Sequence, residues 1–354
     1  MSNYNKSRDL LVGVDVGGTK VAVLVVEGQE RVLSRVTMPT YLDDSEATVS
    51  GVVRAIRLAL KAAGAEACEV ACIGVGVPGR VDPSTGVVRH AVNLGWHELP
   101  VGERISSELE VPCVLENDVR VAALGAQRYL GSAAPANMVY VSVGTGIAAG
   151  LVLEGKVYRG THGMAGEIGH MIVEPDGPRC VCGARGCLEA LAAGPAIARL
   201  GKAAARSSRD SLLRNHSTMT AGAVYEAARA GDPAANEVTR KAGRYLALAI
   251  QQLVMAYDPE CIVLGGGVSR EGAAFLQPIL HELERLRQDS ALAHELLQPY
   301  MIRLLPPDYE AGAWGAVALA GRGRDSARQR EQGAAKKMAR MQKLVPTEPT
   351  KPLN

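Results

Sequence analysis

Val12-Gly13-Val14-Asp15-Val16-Gly17 and Val139-Tyr140-Val141-Ser142-Val143-Gly144 align without a gap, 127 residues apart. Each is a β-branched run that stops at a glycine turn, and each leads into a second apolar run, at residues 21–26 and 147–153. Alternating Val over such short windows predicts strands, and the glycines predict tight turns between them. One β–Gly turn–β device used twice points to two related α/β lobes facing each other. The cleft between them is where a small ligand belongs.

Outward from these hairpins, the pattern predicts strands at residues 32–37, 70–77, 111–115 and 261–264. It predicts helices at 45–63, 101–109, 118–129, 233–257, 271–286 and 310–320. A chain of 354 residues with 47% hydrophobic side chains is long enough for two cores. We divide it into a smaller lobe over 1–118, completed by a C-terminal helix at 309–321, and a larger lobe over 119–308. The remainder, 322–354, holds nine Lys or Arg against three acids and few branched apolar residues. That composition predicts a basic, disordered extension, with a basic helix over 327–344 as the alternative.

The net charge of +2 is carried by that tail, so the body is mildly acidic and offers no broad cationic face for a nucleic acid. No run approaches the roughly 20 apolar residues that span a bilayer. The first ten residues, MSNYNKSRDL, lack the apolar segment of a secretion signal, which predicts the cytoplasm.

Three glycine turns suit phosphates. Asp15-Val-Gly17-Gly18-Thr19-Lys20 brings backbone N–H groups and a hydroxyl against an anion, and Asp15 at the strand end suits a water-bridged Mg²⁺. Gly144-Thr145-Gly146 supplies a second such set from the other lobe. Gly265-Gly266-Gly267 links a strand to a helix, as a nucleotide's ribose or α-phosphate requires. Taken singly, each is only a turn; together they favour a nucleotide.

Glu116-Asn117-Asp118 stands at a strand-to-helix junction. Its plain reading is a helix cap, and its chemical reading is a carboxylate that accepts a proton from an alcohol. His170, Cys180, Cys182 and Cys187 fall within 18 residues, a Cys₃His set typical of structural zinc, with no open position for an activated water.

These motifs resemble the ROK family of repressors and sugar kinases, most closely its bacterial glucokinases. The likeness runs from about residue 10 to residue 320 and rests on Asp-x-Gly-Gly-Thr-Lys, Glu116-Asn-Asp118, Gly144-Thr-Gly-Ile147 and Gly166-Glu-Ile-Gly-His170. Cys-x-Cys-Gly-x-x-Gly-Cys-x-Glu is the most specific element. The resemblance implies a two-lobed hexokinase/actin-like, ribonuclease H-like fold with a zinc site. It implies Asp118 as catalytic base, with Asn117, Asp118, Glu167, His170 and Glu189 on sugar hydroxyls and Gly79 touching the sugar through its backbone. His170 then serves both zinc and sugar.

The activity implied is transfer of the ATP γ-phosphate, with Mg²⁺, to the 6-hydroxyl of glucose. Fructose, mannose, N-acetylglucosamine and N-acetylmannosamine are alternative acceptors, and polyphosphate an alternative donor. A sugar-sensing regulator without catalysis is the reading from another class. A homodimer or higher homo-oligomer is implied by the resemblance alone.

Overall fold

The computed structural model describes residues 9–342 apart from Gln29 and Asp43; for 331 and 333–342 only the backbone is described. Strands β1 (Leu10–Val16), β2 (Lys20–Glu27), β3 (Arg31–Pro39), β4 (Val70–Val77) and β8 (Cys113–Asn117) form one five-stranded sheet in the order β3-β2-β1-β4-β8. Strands β9 (Met138–Val143), β10 (Ile147–Leu153), β11 (Lys156–Tyr158), β12 (Cys261–Gly265) and β13 (Ile302–Leu304) form a second, in the order β11-β10-β9-β12-β13. In each sheet the first two pairings in that order are antiparallel and the last two are parallel. The repeated Val-rich hairpins thus occupy equivalent places in two mixed α/β sheets.

A small antiparallel sheet of β5 (Arg80–Asp82), β6 (Val87–Ala91) and β7 (Trp96–Leu99) is appended after β4. Helices α1 (Ser45–Ala63) and α2 (Val101–Leu109) belong to the first lobe. Asp44 caps α1 through its carboxylate on Ala47 N–H, Gly64 ends it at φ +61°, and Val49, Val52, Val53, Ile56 and Leu60 form its buried stripe. That 3–4 spacing is the reason for the helix.

Helix α3 (Asp118–Leu130) follows β8, and α4 (Leu188–Ala192), α5 (Gly194–Ser207), α6 (Ala221–Arg229), α7 (Pro233–Tyr257), α8 (Ala273–Asp289) and α9 (Ala291–Leu296) come later. Residues from α4 to α9 pack with Val141, Ile147 and Leu264 in the core of the second lobe. The last helix, α10 (Ala311–Gln342), returns to the first sheet, packing Ala313, Val317 and Ala320 against Leu11, Leu24 and Cys72.

Two helices therefore lie between the sheets. Helix α3 joins Met138, Tyr140 and Val152 of the second, and α10 covers the first. They meet backbone to backbone, for a Cβ on Gly315 would fall on the Val121 carbonyl and one on Gly125 on that of Ala311.

One expectation is corrected. Disorder is predicted from residue 322, but α10 continues to Gln342. Ala, Arg, Gln, Lys, Glu and Met dominate this stretch, and helix propensity needs no apolar stripe. Arg324 and Arg328 also pair with Asp9 at 2.7 and 3.1 Å, holding the helix to the start of β1. Residues 343–354, the rest of the predicted extension, lie outside the described residues. Among those described, no helix is long and apolar enough to cross a membrane.

Candidate active site

Asp118 is the first residue of α3, where β8 delivers the chain to the cleft. Asn117 sets its position. The amide oxygen of Asn117 accepts from Val119 and Arg120 N–H at 3.1 and 3.2 Å, so the helix-cap reading holds. Its Nδ2 donates to Asp118 Oδ1 at 2.9 Å and to the Gly79 carbonyl at 3.1 Å. All four hydrogen-bonding positions of the amide are engaged, so an incoming hydroxyl reaches Asn117 only by replacing one of them. Gly79 sits at φ +89°, and a Cβ there would fall on the His90 carbonyl, which fixes glycine at this turn.

Burial holds the Asp118 carboxyl above its usual range, the Val119 N–H opposes this, and the Glu167 charge adds to it. Asp15, near the end of β1 and two strands from β8 in the same sheet, is pushed up to about 6 by burial first, then by Asp118, with Lys20 opposing and Glu310 adding. A carboxylate so short of counter-charge fits a cation, and a water-bridged Mg²⁺ needs only one or two such groups. Asp15, Lys20, Asp118 and the three glycines Gly265, Gly266 and Gly267 line one cavity.

The turn at 265–267 lines this cavity, Lys20 reaches it from the first turn, and Gly17, Gly18, Thr19 and residues 144–146 are not among its lining. Gly17 N–H donates to the Lys20 carbonyl at 2.9 Å, leaving Thr19 and Lys20 exposed at the tip, with Gly18 beside Asn93. Gly144 N–H donates to the Gly146 carbonyl at 2.9 Å, with Thr145 exposed between them. Gly144 faces the Gly267 N–H, so the turns after β9 and β12 adjoin. At φ +93°, Gly266 has no room for a Cβ against the Val143 carbonyl.

Glu167 and His170 are exposed on the segment after β11, and Gly166 at φ +96° fits under the Ala149 carbonyl. Glu189, on α4, accepts from Ile147 N–H at 3.1 Å and lies against Gly146. The Glu189 side chain thereby ties the phosphate-type turn to the Cys/His loop that precedes it.

One ligand atom from each of His170, Cys180, Cys182 and Cys187 lies within 4.8 Å of the others. A tetrahedral zinc with bonds of about 2.3 Å sets sulfurs about 3.8 Å apart. Cys182 and Cys187 Sγ are 3.7 Å apart, and Cys180 Sγ is 3.7 Å from His170 Nδ1. All the cysteines are free thiols. Burial pushes the Cys187 thiol up to about 12, so its thiolate form needs a cation beside it. The donor set fits zinc.

Sequence reasoning did not single out Tyr140, Ser142, Ser269, Arg270 and Glu310, which line the same cavity. The repeat held a signal for one of them. Ser142 occupies in the second hairpin the place of Asp15 in the first, so both point to the cleft.

The ROK family profile matches residues 11–322. A glucokinase of Halalkalibacterium halodurans is 36% identical over 279 residues, 77% of this chain and 84% of that one. A ROK hexokinase from Thermus thermophilus superposes with a TM-score of 0.73 at 33% identity, over 90% of this chain and 99% of that one. A ROK family glucokinase from Streptomyces griseus, solved in complex with glucose and AMPPNP, superposes with a TM-score of 0.71 at 32% identity, over 88% and 99%. With the paired sheets, the glycine turns and the Cys/His loop in place, these likenesses show that the chain belongs to the ROK family.

Proposed function

We propose that this chain is an ATP-dependent glucose kinase, moving the γ-phosphoryl group to the sugar 6-hydroxyl to give glucose 6-phosphate and ADP. The observation that carries this reading is the placement of Asp118. It is hydrogen-bonded to Asn117, which also reaches Gly79, it feels the Glu167 charge, and it lines one cavity with Asp15, Lys20 and the turn at 265–267. An alcohol acceptor beside Asn117 and Glu167 would there meet a phosphate donor held in that cavity. The glucokinase relatives and the glucose-bound structure support the choice of sugar.

In this reading Asp118 accepts the proton of the 6-hydroxyl as it attacks. A carboxyl raised by burial is the better base near neutral pH. Asn117, Glu167, His170 and Glu189 orient the other hydroxyls, and the N–H groups of the turns at 17–19, 144–146 and 265–267 hold the phosphates. Asp15 would hold Mg²⁺, which supplies charge neutralisation on the phosphoryl oxygens. His170, Cys180, Cys182 and Cys187 would hold a structural zinc, with His170 Nδ1 on the metal and Nε2 free for the sugar. Four protein ligands give this zinc an anchoring role for the loops of Glu167 and Glu189.

Sugar phosphate formation measured with glucose, mannose, fructose, N-acetylglucosamine and N-acetylmannosamine, with ATP and with polyphosphate as donor, tests the proposal. Glucose with ATP should give the highest kcat/KM. A higher value for another sugar overturns the substrate, and failure to form a phosphate of any of these sugars overturns the activity.

A further inference from the structure

Two residues before Asp118 and two after it stand charged groups that the phosphoryl transfer does not use. Glu116 is 0% exposed and Arg120 is 3% exposed, and their side chains are 3.4 Å apart on one turn. A second arginine, Arg159, enters from the segment after β11 and brings its Nε to 2.5 Å from Glu116 Oε2. Arg120 Nη2 donates in turn to the carbonyls of Gly163 and Ala165, at 2.6 and 3.3 Å. Glu116 Oε1 also accepts the Asn117 N–H at 2.9 Å. Every one of these bonds leads either to the strand end that presents Asn117 and Asp118 or to the loop that presents Glu167.

A buried ion cluster of this kind is a poor source of stability, because its desolvation cost offsets most of the attraction. Its geometry is what it supplies. The loop at 159–166 has no regular structure among its central residues and contains three glycines at positive φ, Gly160, Gly163 and Gly166. Unpinned, such a backbone has many conformations. Here it is held at Arg159 by Glu116, at 163 and 165 by Arg120, and at 166 by the Ala149 N–H at 2.7 Å. Glu167 is the next residue. The pins at Arg159, Gly163 and Ala165 all reach the β8–α3 junction, so the loop of the second lobe is referenced directly to Asp118 of the first.

We infer that Glu116, Arg120 and Arg159 are positioning residues that fix the loop carrying Glu167 at a set reach from Asp118, and so tune acceptor binding without touching the acceptor. The inference rests on the reading of Glu167 and Asp118 as sugar-side groups. Arg159 is its accessible member, 43% exposed, and can be changed without opening the core.

The test compares the wild type with Arg159→Met and Arg159→Lys. In Arg159→Met, KM for the sugar the wild type uses best should rise about 10-fold, with kcat within about 3-fold and KM for ATP unchanged. Lysine keeps one charged donor for Glu116 and should recover most of that loss. Amide hydrogen exchange of residues 160–167 in the sugar-free protein should be faster in Arg159→Met while that of α8 stays the same. An unchanged sugar KM, or equal rises for sugar and ATP, overturns the inference. If the wild type turns over no sugar, the kinase reading fails, and the exchange alone decides: unchanged rates at 160–167 overturn the positioning role as well.

Discussion

Asp15 and Asp118 are carboxylates that burial pushes up, and each invites a measurement. For Asp118, removal of the base in Asp118→Ala should lower kcat roughly 10²-fold to 10⁴-fold, with the melting temperature little changed. Near-normal turnover would remove it from that role. For Asp15 the folded value is about 6 against 3.8 for an unstrained carboxyl, so the folded chain holds this proton more tightly than the unfolded one. The resulting stability is fully present below pH 3.8 and is lost as pH rises through about 6. At neutral pH the ionised group is a liability until a cation faces it. Asp15→Asn should therefore melt higher than the wild type near pH 8, with the difference vanishing near pH 4. Mg²⁺ with ATP should raise the melting temperature of the wild type more than that of the variant. Equal melting at both pH values would show that Asp15 carries no such strain.

Residues close in sequence were the ones sequence reasoning found. Asn117 and Asp118, the glycine turns and the Cys/His set are each local motifs; of these, Asp118 and the turn at 265–267 line one cavity, and the Cys/His set forms one cluster. Arg120 and Arg159 were not found, because their meaning lies in partners 43 residues away. Tyr140 gave no signal either, since an aromatic ring in a buried strand reads as core.

At the scale of elements, most long periodic segments were legible and short ones were not. The expected helix at 45–63 and the strands at 70–77 and 147–153 match the structure to the residue, because a strong apolar period ends at a cap or a turn. The sheet of β5, β6 and β7 was missed, since three to five residues of strand hold too few alternations to read; helices α4–α6 and α9 were missed too, α5 being a long one at 14 residues. The end of α10 was misplaced because composition reports burial rather than helicity. In the zinc reading the Cys/His loop draws its stability from the metal, so Cys182→Ser, at an exposed position, should lower zinc content and the melting temperature. Its effect on kinetics should fall more on the sugar KM than on that for ATP, because Glu189 follows the loop directly. Unaltered metal content and melting would refute a zinc role.

At the scale of the whole molecule, α3 and α10 pack between the two sheets. The α3–α10 crossing is tight at Gly125 and Gly315, with backbone against backbone, and side chains meet at its edge in Arg128 over Trp314 and Arg322 on Gln127. Sugar and an ATP analogue together should draw the lobes inward, seen as a fall in radius of gyration by small-angle X-ray scattering, as lid and lobe closure excludes water around phosphoryl transfer. An unchanged radius with both ligands bound would mean that the cleft works in its present shape.

The return of α10 to the first sheet has a consequence for biosynthesis. All five strands of that sheet are complete once residue 117 has been made. The face bearing Gly13 and Gly74, which only α10 fits, waits for residues 311–320 to emerge from the ribosome. At translation rates of about 5–20 residues per second, that apolar face stays uncovered for about 10–40 seconds. During that interval the nascent chain is a natural client for holding chaperones, and a message truncated before α10 would release a polypeptide bound to aggregate.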